Sequence, residues 1–382
     1  VHNRVGANLM TGITAALAQA SDKGGSPRGD MGLFEVDEAT LPEAVKRLSP
    51  RLVIVTNLYR DQLDRYGELE SLARKMDGAL AELGKEAVVL LNADDPLVAS
   101  LGRESAAEIH YFGIDFEGLA EPGLRHAADS KHCRRCGSPL SFSANYFGHM
   151  GKYFCPNCGA SRPPADYAAT EIELAGIEGS RISIGTPSWN TDIFMALPGL
   201  YNVHNLLAAV GGALLLGLGE EDVSRGVVGY STAFGRGERI SFEGRNLFLI
   251  LSKNPTGFNE VIRTIRGEGE HLVVIAALND RIADGRDVSW IWDVDFEDLA
   301  PLPRLLMATG TRAEDMALRM KYAGMDTSRI RVERDLHRAM RIGAGEAEED
   351  ETIYALTTYT ATLEMRRLLT RLGAAPGYWK EP

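Results

Sequence analysis

Four cysteines are the residues of this sequence whose spacing most directly implies chemistry. They form two Cys-x-x-Cys pairs separated by 18 residues, each closely followed by glycine: Cys133, Cys136, Cys155 and Cys158. Two such pairs can bring four thiolates to one tetrahedral centre, which suits zinc better than disulfides. Because four cysteines complete that coordination, we expect a closed structural site. The nearby His132 and His149 are expected not to be ligands.

A second stretch with chemical potential is the acidic loop from Ala276 to Glu297. It follows an apolar run at 272–277 that predicts a buried strand, and it combines acids with two tryptophans: Asp280, Asp284, Asp287, Asp293, Asp295, Trp290 and Trp292. Ligands and partners of α/β domains meet the loops at the carboxyl ends of strands. A solvated acidic loop is the alternative, but such a loop has no use for so much aromatic surface. We therefore expect chemistry or docking here.

The surrounding elements predict an α/β protein of two domains. Apolar runs at 31–38, 52–57 and 87–92 each lead into polar residues, as strands of a parallel sheet do. An apolar stripe from residue 69 to 83 predicts a helix packed on that sheet, and Leu200–Leu216 predicts a buried helix. The segment 122–164 interrupts the pattern as a metal-stapled insert. Glycines and arginines at 235–240 suggest a hinge before a second α/β domain.

The composition narrows the possible partners. The chain of 382 residues carries a net charge of -12, which argues against nucleic acid as the main partner. No run has the length of a transmembrane segment, and polar residues interrupt the first 20 positions where a signal peptide would need an apolar core. The cysteine pairs are spaced for metal rather than for disulfides. These features together predict a cytoplasmic protein.

Several motifs together resemble the Mur ligase superfamily, and within it the MurT-type subunits of lipid II isoglutaminyl synthases. They are HNRVGANLMTGITAAL, FEVDEATLP, TNLYRDQLDRYGE, LNADDP, the four-cysteine insert, GLYNVHNLLAA, SKNPTGFN and LNDRIADGRDVSWIWDVDFE, in that order. The insert and the DGRDVSWIWD loop distinguish the subfamily, whereas LNADDP is shared more widely. The resemblance implies a Mur ligase central domain at 1–236, with a mainly parallel sheet and a zinc-ribbon insert at 122–164. A Rossmann-like α/β domain at 237–382 would follow.

The resemblance also implies an activity. Such an enzyme uses ATP and Mg²⁺ to phosphorylate the α-carboxyl of D-glutamate in the stem peptide of lipid II, at the inner face of the membrane. Ammonia from a separate GatD-type glutaminase subunit then gives D-isoglutamine. In this family the second aspartate of DGRD, here Asp287, orients the partner's catalytic histidine, with Trp290 and Trp292 as interface anchors. The alternative for Asp287 is a structural carboxylate that caps a turn.

The other site residues are carried over from the same resemblance. Glu35 corresponds to the magnesium-binding glutamate and Asn3 to an asparagine near the phosphates. Asn202 and Asn205 correspond to adenine-side asparagines, although asparagines at a helix start also serve as caps. The remaining two, the hinge arginine and the lysine that reaches the nucleotide from the second domain, correspond to Arg236 and Lys253.

Two features depart from the general Mur pattern. No glycine-rich phosphate loop of the GTNGKTT kind occurs in the 382 residues, and the chain begins with Val1. We interpret this as truncation at the amino terminus and expect the chain to bind ATP poorly. Gln62 stands where many Mur ligases have a metal-binding histidine, a replacement that the MurT branch shares.

Two rival functions remain open at the level of sequence. One is another ATP-dependent ligase, such as a folylpolyglutamate synthase or an amino-acid-adding Mur enzyme; these lack the zinc insert and need no glutaminase. The other is a non-catalytic zinc-ribbon scaffold that binds protein or nucleic acid. The acidic balance of the chain disfavours the nucleic-acid version.

Overall fold

Two six-stranded sheets and one two-stranded sheet make up the framework of the molecule. The structure, a computed structural model, describes residues 1–3, 7–59, 69–121, 128–230 and 236–376. The strands are β1 (Leu52–Val55), β2 (Val88–Asn92), β3 (Glu108–Ile114), β4 (Ser141–Phe147), β5 (Met150–Phe154), β6 (Tyr167–Leu174), β7 (Ser180–Gly185), β8 (Asn190–Met195), β9 (Arg236–Phe242), β10 (Arg245–Leu251), β11 (Leu272–Ala277), β12 (Pro303–Thr309), β13 (Ile330–Val332) and β14 (Thr352–Thr357). In the same residues, the α-helices are α1 (Met10–Ala20), α2 (Leu41–Leu48), α3 (Leu69–Ala81), α4 (Leu200–Leu215), α5 (Glu220–Val228), α6 (Pro255–Arg266), α7 (Ala313–Tyr322), α8 (Leu336–Glu346) and α9 (Tyr359–Arg371).

The first sheet has the strand order β1-β2-β3-β6-β7-β8. Its first four strands are parallel, and β7 and β8 continue it antiparallel. Helix α4 packs on one face of this sheet, as its apolar sequence predicts, and α2 and α3 contribute to the core on the other face. Gly211 and Gly212 let α4 approach closely, because a Cβ at Gly212 would lie 2.6 Å from Ile54 Cδ1. The sequence thus places an apolar helix directly behind the strands whose ends carry polar motifs.

The second sheet has the order β13-β12-β11-β14-β10-β9 and is parallel except for the edge strand β9. Strands β11 and β14 lie at its centre, and every residue of Leu272–Ala277 is buried. Helices on both faces complete two apolar cores. Alternation of strand and helix from β10 to α9 gives this arrangement, since parallel neighbours need crossover helices.

One predicted strand is wrong. Residues 31–38 form no strand, and their pairing within the described chain is a single parallel bridge between His2 and Leu33. Met31 and Leu33 are exposed, with Leu33 at 67%. A strand needs a hydrogen-bonded neighbour along its length, and one bridge does not provide it.

Residues 236–240 of the stretch interpreted as a hinge form part of a strand. Residues from Arg236 onward belong to β9, which pairs antiparallel with β10. Ile240 and Phe242 are buried while Ser241 between them is exposed, the alternation of an edge strand with one covered face. Gly237 has φ +84°, so the strand begins with a distorted residue that glycine tolerates.

The cysteine insert, here residues 128–164, lies between β3 and β6, two neighbouring parallel strands of the first sheet. Its β4 and β5 form a separate antiparallel hairpin, with one cysteine pair before β4 and the other after β5. The described helices include none with the length and apolarity needed to cross a membrane.

Candidate functional site

The four cysteines converge as their spacing predicts. Sγ of Cys133 lies 3.6 Å from Sγ of Cys158, Sγ of Cys136 lies 3.5 Å from Sγ of Cys155, and all four sulfurs lie within 4.8 Å of one another. Sulfurs bound 2.3 Å from a tetrahedral zinc lie about 3.8 Å apart. The donor set and its spacing therefore fit a zinc centre with four cysteine ligands.

Backbone turns hold the two cysteine pairs. The N–H of Gly137 donates to the carbonyl of Cys133, and the N–H of Gly159 donates to that of Cys155. Both glycines have positive φ, 75° and 72°. The glycine after each pair therefore serves a turn that a side chain would strain.

The thiols of this cluster differ in acidity. Hydrogen bonds from the backbone and side chain of Ser138 lower the pKa of Cys136 to about 5. The Ala160 N–H lowers the pKa of Cys158, but desolvation and the other three thiols outweigh it and raise that pKa to about 11. Crowded thiols resist losing all four protons unless a cation compensates the charge, as a bound zinc ion would.

Neither nearby histidine joins the cluster, which agrees with the sequence prediction. Among the described residues, the grouping of His, Cys, Asp and Glu side chains able to hold a metal consists of the four cysteines alone. His132 is exposed, whereas His149 is fully buried far along the β4–β5 turn. In the part of the chain that the structure describes, Glu35 belongs to no such group of three or more side chains, which is compatible with an ion held mainly by phosphates and water.

Glu35 and Asn3 are in direct contact. The Asn3 amide donates to the backbone carbonyls of Glu35 and Ala7, each at 2.8 Å, and its oxygen accepts from the N–H of Glu35 at 2.9 Å. Asn3 is buried, while the Glu35 side chain is exposed. Asn3 thus fixes the backbone that presents the Glu35 carboxylate.

The two aspartates of LNADDP are buried, and their roles were not apparent from sequence. Asp95 accepts hydrogen bonds from the N–H groups of Leu58, Leu97 and Val98, so it ties the loop after β1 to the turn after β2. Asp94 accepts from Nε of Arg162 at 2.6 Å and lies 2.7 Å from Nε2 of His204.

The histidine of the insert's hairpin turn contacts the same region. His149 Nε2 lies 3.3 Å from Asp95 Oδ2, and its ring packs against Tyr59 in a tilted arrangement with centroids 4.7 Å apart. The turn residue Gly148 approaches Thr256 at the start of α6, where an added Cβ would lie 3.1 Å away. The insert therefore reaches the seam between the two large sheets.

Asn202 and Asn205 lie one turn apart at the start of α4 and contact each other. Nδ2 of Asn205 donates to Oδ1 of Asn202 at 3.1 Å, and Nδ2 of Asn202 donates to the carbonyl of Pro198 at 2.8 Å. Asn202 is buried, and Asn205 is partly exposed. The pair organises the turn into the helix and leaves Asn205 facing outward.

Lys253 follows β10 after one intervening residue, Ser252, and its side chain is exposed. The next residue, Asn254, caps α6 by accepting from the N–H of Gly257 at 2.7 Å, with Pro255 in the first turn. This fixes the chain immediately after Lys253. Arg236 opens β9, but its side chain, like all of Gln62, lies outside the described residues.

Three acids of the acidic loop have structural partners. Asp280 pairs with Arg312, Asp295 exchanges hydrogen bonds with the amide of Asn259, and the buried Asp284 accepts from the N–H of Thr360 at 2.7 Å. Thr360 stands in the first turn of α9, where a carboxylate is favoured by the helix dipole. These contacts anchor the loop.

Asp287 differs from the other aspartate of its DGRD motif. Its side chain is exposed, and Oδ1 accepts from the N–H of Ser289 at 2.8 Å, a local turn that lowers the pKa of Asp287. This bond occupies one side of the carboxylate. Asp287 therefore has a part in its turn and still presents a charged group outward.

The two tryptophans have different surroundings. Trp290 packs partly buried against Phe258, whereas Trp292 is 50% exposed and stacks edge-on with Tyr322. The buried guanidinium of Arg319 lies 5.4 Å from the Trp292 ring centre. Trp290 is thus mainly a core residue, and Trp292 is the more accessible apolar anchor.

A polar cavity of about 680 Å³ opens at the carboxyl ends of β11 and β12. Five basic side chains contribute to its lining: Arg281, Arg334, His337, Arg367 and Arg371. None of the individually assigned site residues lines it, but the acidic loop predicted for chemistry or docking contributes Ala277, Asn279 and Arg281. Ligands of open α/β sheets bind at this edge, whereas no local sequence pattern pointed to the basic residues that the loop after β13, α8 and α9 add.

Comparison with known proteins agrees with this geometry. The family described as MurT ligase C-terminal matches residues 251–362, and the Mur ligase middle domain family matches residues 7–161. Among solved structures, a pseudomurein peptide ligase type C from Methanothermus fervidus has a TM-score of 0.68 at 18% identity, covering 89% of this chain and 68% of that one. MurF from Acinetobacter baumannii has a TM-score of 0.66 at 18% identity, covering 97% and 70%. These structures establish a Mur ligase fold.

Curated relatives are more similar in sequence. The MurT subunit of lipid II isoglutaminyl synthase (glutamine-hydrolyzing) from Staphylococcus aureus (strain COL) is 32% identical over 97% of this chain and 81% of its own length. The corresponding subunit from Streptococcus pneumoniae (strain ATCC BAA-255 / R6) is 33% identical over 96% of this chain and 80% of its own length. Similarity of this extent spans both sheets and the cysteine insert, and the chain therefore belongs to the MurT family of Mur ligases.

Proposed function

We propose that this chain is the synthetase subunit of a glutamine-dependent amidotransferase that converts D-glutamate of the lipid II stem peptide to D-isoglutamine. The observation that carries the proposal is the family relationship, which covers 97% of the chain and includes relatives named as lipid II isoglutaminyl synthase subunits. The named relatives are glutamine-hydrolyzing, which supports the side-chain amide of glutamine as the nitrogen source, rather than the amino group of an added amino acid.

The proposed reaction has two steps on this subunit. The α-carboxylate of D-glutamate attacks the γ-phosphorus of ATP, which releases ADP and leaves an acyl phosphate. Ammonia then attacks the acyl carbon, phosphate departs, and one proton is lost to give the primary amide. Both steps develop negative charge on phosphate oxygens, so fixed cationic groups at those oxygens would lower the barriers.

Residues at the ends of β10 and near the start of the chain suit the phosphates. Lys253 is exposed two residues after a mostly buried strand and is followed by a capped helix, so its position is fixed at the backbone. Glu35 presents an exposed carboxylate whose backbone Asn3 holds. We assign Glu35 to Mg²⁺, which would supply charge neutralisation between phosphates. The contact of Asn3 itself with the nucleotide stays a prediction, since its amide already bonds Glu35.

Asn205 is the better placed of the two asparagines for the adenine side. Asn202 donates to Pro198 and accepts from Asn205, so its own groups are engaged. Asn205 is partly exposed and can rotate its amide toward a base. Arg236, at the start of β9, is assigned to the nucleotide on the family pattern alone.

Ammonia would come from a GatD-type glutaminase subunit that docks on the acidic loop. Asp284, Asp280 and Asp295 hold the loop to its own domain, while Asp287 points outward. A carboxylate of this kind fixes the tautomer of a catalytic imidazole and stabilises its protonated form. We therefore assign Asp287 to the glutaminase active site and Trp292 to the interface.

The test uses the protein co-expressed with a candidate glutaminase. Amidation of lipid II is measured with glutamine and, separately, with ammonium as nitrogen source, in the wild type, Asp287→Asn and Asp293→Asn. We expect Asp287→Asn to reduce the glutamine-supported rate by about 1,000-fold or more, as neutralising a triad carboxylate does. Its ammonium-supported rate should stay within about twofold of the wild type, because the synthetase site is untouched.

Asp293→Asn is the matched control, because Asp293 is an exposed acid of the same loop. It should leave both rates unchanged. If Asp287→Asn removed both activities, Asp287 would belong to the synthetase or to folding instead. If the wild type amidated nothing with either nitrogen source, the proposed function itself would be wrong.

A further inference from the structure

A buried carboxylate, Asp94, joins strand β3, the cysteine insert and helix α4. Its oxygens accept from the N–H of Ile114 at 2.7 Å and from Nε of Arg162 at 2.6 Å, and one lies 2.7 Å from Nε2 of His204. Asp94 itself is fully buried. Burial raises its pKa, but the hydrogen bonds and charges of His204 and Arg162 bring that pKa below the ordinary value.

Arg162 belongs to the cysteine insert and is fixed by it. Its N–H donates to the carbonyl of Tyr153 in β5, and the preceding Ser161 forms a bridge with Phe154. The guanidinium also contacts Asp115 at 3.1 Å and the carbonyl of Ile114 at 3.1 Å. The position of this cation therefore follows the position of the hairpin and its cysteine centre.

His204 lies in α4, between Asn202 and Asn205 in the sequence. Its Nδ1 is buried and makes no hydrogen bond to any described residue, so the hydrogen bond that holds the ring is the one between Nε2 and Asp94. Phe147 of the insert packs edge-on against the same ring at 5.4 Å. The insert thus contacts His204 directly through Phe147 and indirectly through Arg162 and Asp94.

We propose that the cysteine insert positions α4 through Arg162, Asp94 and His204, and that it thereby sets the affinity for the nucleotide. Arg162 and His204 are positioning residues, since they act on Asn202 and Asn205 through the helix. The nucleotide part rests on the proposed function, whereas the mechanical part does not. On this proposal, the cysteine insert between β3 and β6 stabilises the turn at which α4 begins.

A structural ion pair elsewhere in the insert provides the comparison. Arg134 is also partly buried, and it donates to Glu70 at 3.0 Å and Asp77 at 2.7 Å on α3. Losing Arg134 would loosen the insert on that helix and leave Asp94 and His204 untouched. Arg134→Met is therefore a matched control for Arg162→Met. Both variants remove an arginine that attaches the insert to the first domain, but Arg134 contacts α3 whereas Arg162 acts on α4.

The experiment uses the full-length protein with four variants: Arg162→Met, His204→Leu, His204→Gln and Arg134→Met. Hydrogen exchange of peptides from 200–215 reports on the helix without any need for activity. We expect exchange there to speed up about tenfold or more in Arg162→Met and His204→Leu, because each variant loses a hydrogen bond to a charged group. His204→Gln keeps an N–H donor and should restore most of the protection.

The second readout is the KM for ATP against kcat, with ammonium as nitrogen source. Arg162→Met and His204→Leu should raise KM about tenfold and change kcat little. His204→Leu leaves the insert intact, so unchanged zinc content with altered exchange would support the proposal even if Arg162→Met did not fold. Equal effects of Arg134→Met and Arg162→Met on the 200–215 peptides would overturn it. Altered exchange with an unchanged KM for ATP would overturn the link between the insert and the nucleotide. A wild type without ATP-dependent amidation would refute the proposed function. The exchange data would still decide whether the insert positions α4.

Discussion

Individual aspartates in this protein have different tasks that depend on burial and on their neighbours. Asp284 is buried and holds the first turn of α9, while Asp287, three residues later, is exposed and accepts a hydrogen bond within its own turn. Asp94 and Asp95 are adjacent and both buried, yet they bind different elements. Residue type alone therefore identifies the chemical capacity, and the surrounding donors determine how it is used.

Replacing Asp94 tests the energetic weight of the buried network. We expect Asp94→Asn to lower the free energy of unfolding by about 3 kcal/mol, because Arg162 would keep its charge while losing the buried counter-charge. Urea unfolding at pH 7 measures this. Glu43→Gln, which removes an exposed partner of Arg47, should change the same free energy very little and serves as the control.

The network also predicts a pH dependence. The pKa of Asp94 is lower in the folded protein than its ordinary value of 3.8, so its stabilisation is present above that pH and is lost as the pH falls below it. Wild-type unfolding free energy should therefore drop more steeply than that of Asp94→Asn as the pH is lowered through and below that ordinary value. Parallel profiles for the two proteins would contradict the assignment.

Among the secondary-structure elements, the sequence correctly predicted those whose position depends on the spacing of nearby residues. The apolar stripe gave helix α3, the apolar run gave α4, and the paired cysteines gave one cluster. The strand at 31–38 failed because its apolar pattern carries no information about whether a neighbour pairs with it. The glycines at 235–240 suggested a hinge, although the alternation of Ile240 and Phe242 was already an edge-strand signal.

The contacts of the insert could not be predicted in the same way. Arg162 and Asp94 are 68 positions apart, and no spacing rule connects them. His149 was correctly expected to lie outside the metal cluster, but its burial against Asp95 and Tyr59 depends on how the hairpin docks. Such tertiary contacts follow from the assembled sheets and not from local propensity.

Metal dependence is the prediction that belongs to the insert as an element. The wild type should bind one zinc ion per chain, and Cys136→Ser should lose most of it, since a tetrahedral site needs all four donors. Elemental analysis of the purified protein measures the content. His132→Ala should retain the metal, because His132 lies near the cysteines and outside their cluster. Full zinc content in Cys136→Ser would exclude the site.

For the whole molecule, the important contacts are those between the two large sheets. Glu268 of the second part accepts from the N–H of Ile177 in the first, and Arg239 donates to the carbonyl of the same residue. Arg263 of α6 donates to the carbonyls of Tyr146 in the insert and Leu119. Side-chain hydrogen bonds of this kind help to fix the position of Lys253 and the acidic loop relative to the first sheet.

Arg263 is the residue at which this coupling can be measured. Its side chain is 18% exposed and bonds two carbonyls at 2.7 and 2.8 Å, so Arg263→Met should destabilise the contact by about 2 kcal/mol. Arg266→Met, on the same helix, removes an exposed pair with Asp298 and should have little effect. Because the lost bonds join the two parts, we expect Arg263→Met to separate thermal unfolding into two transitions, and hydrogen exchange to rise in the β4–β5 turn before it rises in β11. A single transition shifted equally in both variants would mean that the two sheets are coupled through other contacts, and that the insert does not help to hold them together.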